Sequence, residues 1–172
     1  MKTDEQKEKE DRLASLYDEY FNRITRYIYV RIGDKDEAED LAGDVFVKAL
    51  ESLKSYKERG IPMQAWLFRI AHNVTVDYLR KRSRIATVPI NGLPIEAREN
   101  PLATAEKNIE MERVNDAILK LTPEQREVVR LRFFGCLSSK EVGAILGKSD
   151  GAVREMQRAA IQKLRGLLTS DV

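Results

Sequence analysis

The sequence predicts an all-α protein made of two small helical domains joined by a flexible linker. Three observations carry this. Apolar residues recur at spacings of three and four along most of the chain. A proline-bearing stretch beginning at Ser83 interrupts that pattern. The stretch Ser138–Arg165 reads as two helices around a tight turn. The resulting domain plan is a polar tail over 1–11, a helical bundle over 12–82, a linker over 83–102 and a second helical domain over 103–172.

At 172 residues, 42% hydrophobic and 34% charged, the chain is long enough for one mid-sized domain or two small ones. Thirty Lys+Arg against 28 Asp+Glu leave a net charge of only +2, so any nucleic-acid function must rest on local basic surfaces. No run approaches the roughly 20 apolar residues that span a bilayer, and the start, MKTDEQKEKEDR, is polar and unlike a signal peptide. No membrane insertion is expected. Cys136 is the one cysteine, which excludes an intrachain disulfide and suits a reducing, cytoplasmic setting. With one Cys and one His the usual zinc ligands are missing, so no metal or cofactor is expected. Neither a phosphate-cradling glycine loop nor a nucleophile–base pair at motif spacing is present, which argues against an enzyme with a small-molecule substrate.

The first helix is expected from Arg12 to Arg31, with Leu13, Leu16, Tyr17, Tyr20, Ile24, Tyr27 and Ile28 on its apolar stripe and Gly33 ending it. A second should run from Asp34 to Leu53. Its acidic opening (Asp34, Asp36, Glu37, Glu39, Asp40) complements the helix dipole or forms a docking surface for a basic partner, and spacing leaves both open. Ser55–Pro62 is a loop broken by Gly60 and Pro62.

The third helix, Met63–Arg82, carries Leu67, Ile70, Ala71, Val74 and Tyr78 on its core arc. Trp66, Arg69, Asn73, Asp77 and Arg80 share a neighbouring stripe, with His72 at its edge. Ring, amide and cations on one stripe suit single-stranded nucleic acid: stacking, edge hydrogen bonds and phosphate neutralisation. A core Trp66, surface pairs from Asp77 to Arg80 or Lys81 and a dipole-complementing basic end fit the same pattern. Past this helix Pro89, Asn91-Gly92, Pro94 and Pro101 deny regular structure. Fully extended, this linker spans on the order of 60 Å at roughly 3.3 Å per residue, enough to hold two modules apart on a long target. Helix resumes over Ala103–Leu121, and Thr122-Pro123 opens another over Glu124–Phe134.

In the last stretch Ser138 and Glu141 form a capping box, and Val142, Ile145 and Leu146 give a short helix its apolar side. Gly143 permits a close helix crossing, and Gly147 suits a left-handed end. A longer helix follows from Ser149 or Asp150. It places Val153, Ala160, Ile161, Leu164 and Leu168 on one side and Arg154, Glu155, Arg158, Ala159 and Gln162 on the other. This is a helix-turn-helix pattern whose second helix fits a DNA major groove.

Three blocks, in this order and around a linker, resemble the extracytoplasmic-function sigma factors of the sigma-seventy superfamily. LYDEYFNRITRYIYVRIGDKDEAEDLAGDVFVKAL (Leu16–Leu50) and AWLFRIAHNVTVDYLRKR (Ala65–Arg82) resemble region two. LTPEQREVVRLRFFGCLSSKEVGAILGKSDGAVREMQRAAIQKLRGLL (Leu121–Leu168) resembles region four. The resemblance implies a region-two bundle and a region-four helix-turn-helix domain that bind core RNA polymerase and promoter DNA and are held in check by an anti-sigma factor. It assigns Glu39, Asp40, Leu41, Asp44, Val45 and Phe46 to the polymerase clamp. Minus-ten capture and melting fall to Tyr56, Lys57, Arg59, Trp66, Arg69, His72, Asn73, Asp77, Arg80 and Lys81. Minus-thirty-five reading falls to Lys148, Arg154, Glu155, Arg158, Ala159 and Gln162. Three departures stand out: Ala42-Gly43-Asp44 where Thr-Gln-Glu is common, and His72 and Ala159 where the family commonly has Arg. The rival reading is a stand-alone helix-turn-helix regulator that dimerises on an operator.

Overall fold

The computed structural model describes residues 3–87 and 105–169, with side chains over 3–84 and 109–169. Among these residues the structure is helical, without strands. Helix α1 runs from Asp4 to Ile32, starting well before the expected Arg12. The Thr3 hydroxyl accepts the Gln6 N–H at 3.2 Å, Asp4 and Glu5 occupy the positive end of the dipole, and Lys9 pairs with Glu5 at 3.3 Å. Those local terms extend the helix through a segment that composition alone reads as a fraying tail.

Helix α2 spans Lys35–Glu51, capped by Asp34, whose carboxylate accepts the Glu37 N–H at 3.1 Å. A single 3₁₀ turn, Leu53–Ser55, precedes the loop to α3, Met63–Thr87, which runs past the expected end at Arg82. Helices α1–α3 pack around Ile24, Tyr27, Val45, Leu53, Met63, Leu67 and Phe68, all fully buried. The linker residues Pro89, Asn91, Gly92, Pro94 and Pro101 lie outside the described residues.

The C-terminal half comprises α4 (Ala105–Leu119), α5 (Pro123–Val129), α6 (Ser139–Leu146) and α7 (Asp150–Thr169). Capping boxes at Thr122/Gln125 and Ser138/Glu141 start α5 and α6. The helix expected to reach Phe134 instead widens into a π-helical turn over Arg130–Phe134. An ordinary α-helix stacks residues three apart on one face. The wider turn sends Leu131 into the core of α1–α3 and Phe134 into a second core of Ala117, Ile118, Leu121, Val129, Ala160 and Leu164.

The two halves pack against each other. Val128, Leu131, Leu137, Val142 and Val153 join the same buried cluster as α1–α3. Their apolar spacing, read from sequence, looks like a core private to the C-terminal half.

The helix-turn-helix forms as expected. Gly147 ends α6 in the left-handed conformation (φ 69°), and Gly143 lies under the next turn. A Cβ on Gly143 would come within 2.4 Å of the Lys148 carbonyl oxygen, whereas one on Gly166 of α7 meets nothing within 4 Å. Gly143→Ala should therefore cost about 1–3 kcal/mol, and Gly166→Ala should be neutral or gain up to ~1 kcal/mol. Urea denaturation of the two variants checks the contrast.

Candidate nucleic-acid and polymerase interface

The outward face of α7 presents Arg154, Glu155, Arg158, Ala159 and Gln162 together, all exposed, while Val153, Ala160 and Leu164 are buried beneath. Arg154 pairs with Asp150 and Arg158 with Glu155, each at 3.4 Å along the helix. These exposed pairs are weak and readily exchanged for other partners. Lys148 differs: it is partly buried and held by Glu124 of α5 at 3.3 Å, so it braces the turn instead of standing free.

On α3 the predicted stripe divides. Asn73, Asp77, Arg80 and Lys81 are exposed, with Asp77 and Arg80 paired at 3.7 Å. Arg69 is half-buried under α6 and donates to the Ala144 and Ile145 carbonyls at 3.1 and 3.4 Å. Those carbonyls lie in the last turn of α6, the negative end of its dipole, where a guanidinium is well placed. Trp66 is half-buried and stacks at 4.8 Å on Tyr56, which is only 5% exposed. The Tyr56 hydroxyl donates to the Ile61 carbonyl at 3.1 Å. Expected as a base-contacting residue, Tyr56 is instead the internal pillar of its loop, and Lys57 and Arg59 form the exposed tip.

The expected clamp residues divide likewise. Glu39, Asp40 and Asp44 are exposed, but Leu41, Val45 and Phe46 are buried in the bundle and offer a partner almost no surface. The exposed apolar groups of this face are Val47 (55%) and Leu50 (57%) on α2 and Tyr17 (46%) on α1, whose ring meets Phe46 at 4.9 Å. The helical spacing of four that marks Leu41 and Val45 as buried leaves Val47 and Leu50 on the opposite side, a signal available in the sequence.

A polar cluster ties the halves together. Tyr27 of α1 donates to the Glu127 carboxylate of α5. His72 Nδ1 lies 3.5 Å from the same carboxylate and 3.4 Å from Arg31 Nη1. Glu127 is 13% exposed. Burial pushes its carboxyl up, but hydrogen bonds from His72 and Tyr27 and the charges of His72 and Arg31 outweigh this and hold it below 4.5. Burial first, and then the Glu127 charge, raises the Tyr27 phenol, so it stays a donor. Nearby, Arg23 of α1 stacks over Tyr20 and donates to the Gly135 and Cys136 carbonyls, where Cys136 takes a left-handed φ of 57°. The contacts between the two halves have no local sequence signature, because their partners lie as far as 113 residues apart.

Two sequence models match the chain: "Sigma-70 region 2" over residues 16–85 and "Sigma-70, region 4" over residues 117–166. Relatives include the ECF RNA polymerase sigma factor BldN of Streptomyces coelicolor, 35% identical over 94% of this chain. The chain spans 62% of that relative's length. The RNA polymerase sigma factor YlaC of Bacillus subtilis is 30% identical over 94% of each chain. The chain belongs to the sigma-70 family, in its extracytoplasmic-function class. Among solved structures, CnrH in complex with the cytosolic domain of CnrY matches with a TM-score of 0.62 and 26% identity, over 94% of this chain and 88% of that one. The sigma factor RpoE of Bartonella quintana, in complex with the anti-sigma factor NepR, matches with a TM-score of 0.62 and 25% identity, over 92% and 98%.

A sigma factor directs promoter-specific transcription initiation by RNA polymerase, with region two at the minus-ten element and region four at the minus-thirty-five element. This chain carries both regions. The region-two match removes the stand-alone regulator. Among the described residues, no helix of this sigma factor is long and apolar enough to cross a membrane.

The Glu127 cluster has a pH consequence. A carboxyl held below 4.5 in the fold contributes stability that is complete above that value and is lost as pH falls through the folded one. Glu127→Gln should cost about 1–3 kcal/mol at pH 7 and flatten the acid-side fall in stability below pH 4.5. Urea titrations of both proteins from pH 7 down to acid check this.

Proposed function

We propose that this sigma factor reads the minus-thirty-five element with the exposed face of α7 and opens the minus-ten element with α3 and the 56–62 loop, acting in the cytoplasm. The observation that supports it best is the joint exposure of Arg154, Glu155, Arg158 and Gln162 above a buried apolar underside. Arg158 would donate to guanine and Glu155 would accept from cytosine. Asn73, Arg80 and Lys81 would track the unpaired strand, with Lys57 and Arg59 at the base-capturing loop. Val47, Leu50 and Tyr17, rimmed by Glu39, Asp40 and Asp44, would dock on the polymerase clamp.

Arg69 spends its Nη2 on the α6 carbonyls and lies half-buried beneath that helix, so little of it is open to a DNA phosphate in the packed form. Full use of the melting helix would then call for region four to leave region two, with polymerase supplying two separated seats. Fixing both modules on one body makes the second DNA contact intramolecular, at high effective concentration. An anti-sigma factor, as in the RpoE–NepR complex, would hold the factor off polymerase.

Run-off transcription with core polymerase on a randomised promoter pool tests the reading. Transcripts that depend on this protein should share two spaced upstream elements, and their absence despite polymerase binding would refute it. Arg158→Ala should lower selectivity at one upstream base about tenfold while leaving the minus-ten preference unchanged. Leu50→Glu should weaken polymerase binding at least tenfold without altering the melting temperature, because Leu50 is largely exposed.

A further inference from the structure

The 56–62 loop carries its three charges side by side: Lys57, Glu58 and Arg59. Under the minus-ten reading this is an awkward set, because Glu58 would repel the strand its neighbours attract. The structure places Glu58 in a two-pronged ion pair. Arg12 of α1 donates from Nη1 to Glu58 Oε2 at 3.2 Å and from Nη2 to Oε1 at 3.1 Å, across 46 residues of sequence. The fork geometry fixes direction as well as distance. Arg12 lowers the Glu58 carboxyl below its ordinary range, first through the hydrogen bonds and then through its charge.

Arg12 is itself held in place. It precedes Leu13, which is buried with Leu16 in the bundle, so its backbone belongs to the rigid core. The loop has few other ties. Its base is fixed by the Tyr56–Trp66 stack and the Tyr56–Ile61 hydrogen bond. The Arg12–Glu58 fork joins the tip of the loop, residues 57–60, to α1.

We propose that Arg12 is a positioning residue for minus-ten recognition: its grip on Glu58 sets the tip of the 56–62 loop and neutralises the loop's one negative charge, leaving Lys57 and Arg59 to meet the unpaired strand. The N-terminal turns of α1 thereby acquire a role in promoter selection without touching DNA. This rests on the assignment of the 56–62 loop to the minus-ten element.

The test is a charge swap in the full-length factor with core polymerase, read as base preference on a promoter pool randomised across the minus-ten element. Arg12→Glu should reduce discrimination at the captured base about two- to fivefold, the range open to a half-exposed ion pair, with minus-thirty-five preference and polymerase affinity unchanged. Arg12→Glu combined with Glu58→Arg should restore the profile; Arg12→Lys, a point charge without the fork, should restore it only in part. An unchanged profile in Arg12→Glu, or a swap that fails to restore it, would overturn the proposal. Lys57→Ala with Arg59→Ala separates the layers. No change there removes the loop's reading role, and Arg12's with it. A change there, with none in Arg12→Glu, overturns Arg12's role alone.

Discussion

The arrangement of the two halves depends on one buried carboxylate. Glu127 sits on α5 of region four, yet its hydrogen-bond partners Tyr27 and His72 and its neighbour Arg31 belong to region two, with Arg130 of its own half adding a further charge. A carboxylate removed from water needs its hydrogen bonds and a counter-charge at fixed geometry. That requirement fixes where region four sits, because a shift of one helical turn would bury the charge without partners. Apolar contacts from Val128, Leu131 and Leu137 supply adhesion but little direction, since hydrophobic burial is non-directional. The polar cluster supplies the direction.

Once that seat is set, the two DNA-facing surfaces acquire different availabilities. The outer face of α7 points away from the junction and stays open along its length. The strand-opening helix is covered over its first turns, where Arg69 lies under α6, and open from Asn73 onward. Arg23 closes the junction from the other side, on the carbonyls of Gly135 and Cys136. The packed form therefore leaves the outer face of α7 open and covers the first turns of α3, which under the proposed reading favours duplex contact by region four over full use of α3.

Much of this fold is legible in the sequence because its helices are specified locally. Caps at Asp34, Thr122 and Ser138, the left-handed glycines and the apolar stripes all act within a turn or two, so the helix order and the outward face of α7 follow from spacing. What spacing misses is what depends on partners distant in the chain. Leu41 and Val45 fall on the apolar stripe of α2, which marks them for burial, but the spacing does not say that α1 and α3 are what cover them. Tyr56 looks like a stacking platform until Trp66 is seen to occupy its ring. The junction itself is invisible for the same reason: an apolar residue on α5 or α6 shows that it will be buried, not against which half.

The three departures from the family pattern sort themselves on the same physical grounds. Ala42 is fully buried, so its size answers to packing between helices, and only Asp44 of that trio offers an exposed charge to a polymerase. His72 does not simply subtract a positive charge from the melting helix. Its Nδ1 lies against Glu127 and Arg31, where the longer guanidinium of an arginine would crowd Arg31 with a second fixed cation. The histidine belongs to the junction more than to the nucleic acid. Ala159 stands exposed on α7 between Arg158 and Gln162, with no packing role to account for it. The outer face of α7 therefore carries one guanidinium fewer than the family pattern, and under the proposed reading discrimination at the upstream element would lean more heavily on Arg154, Arg158 and Glu155.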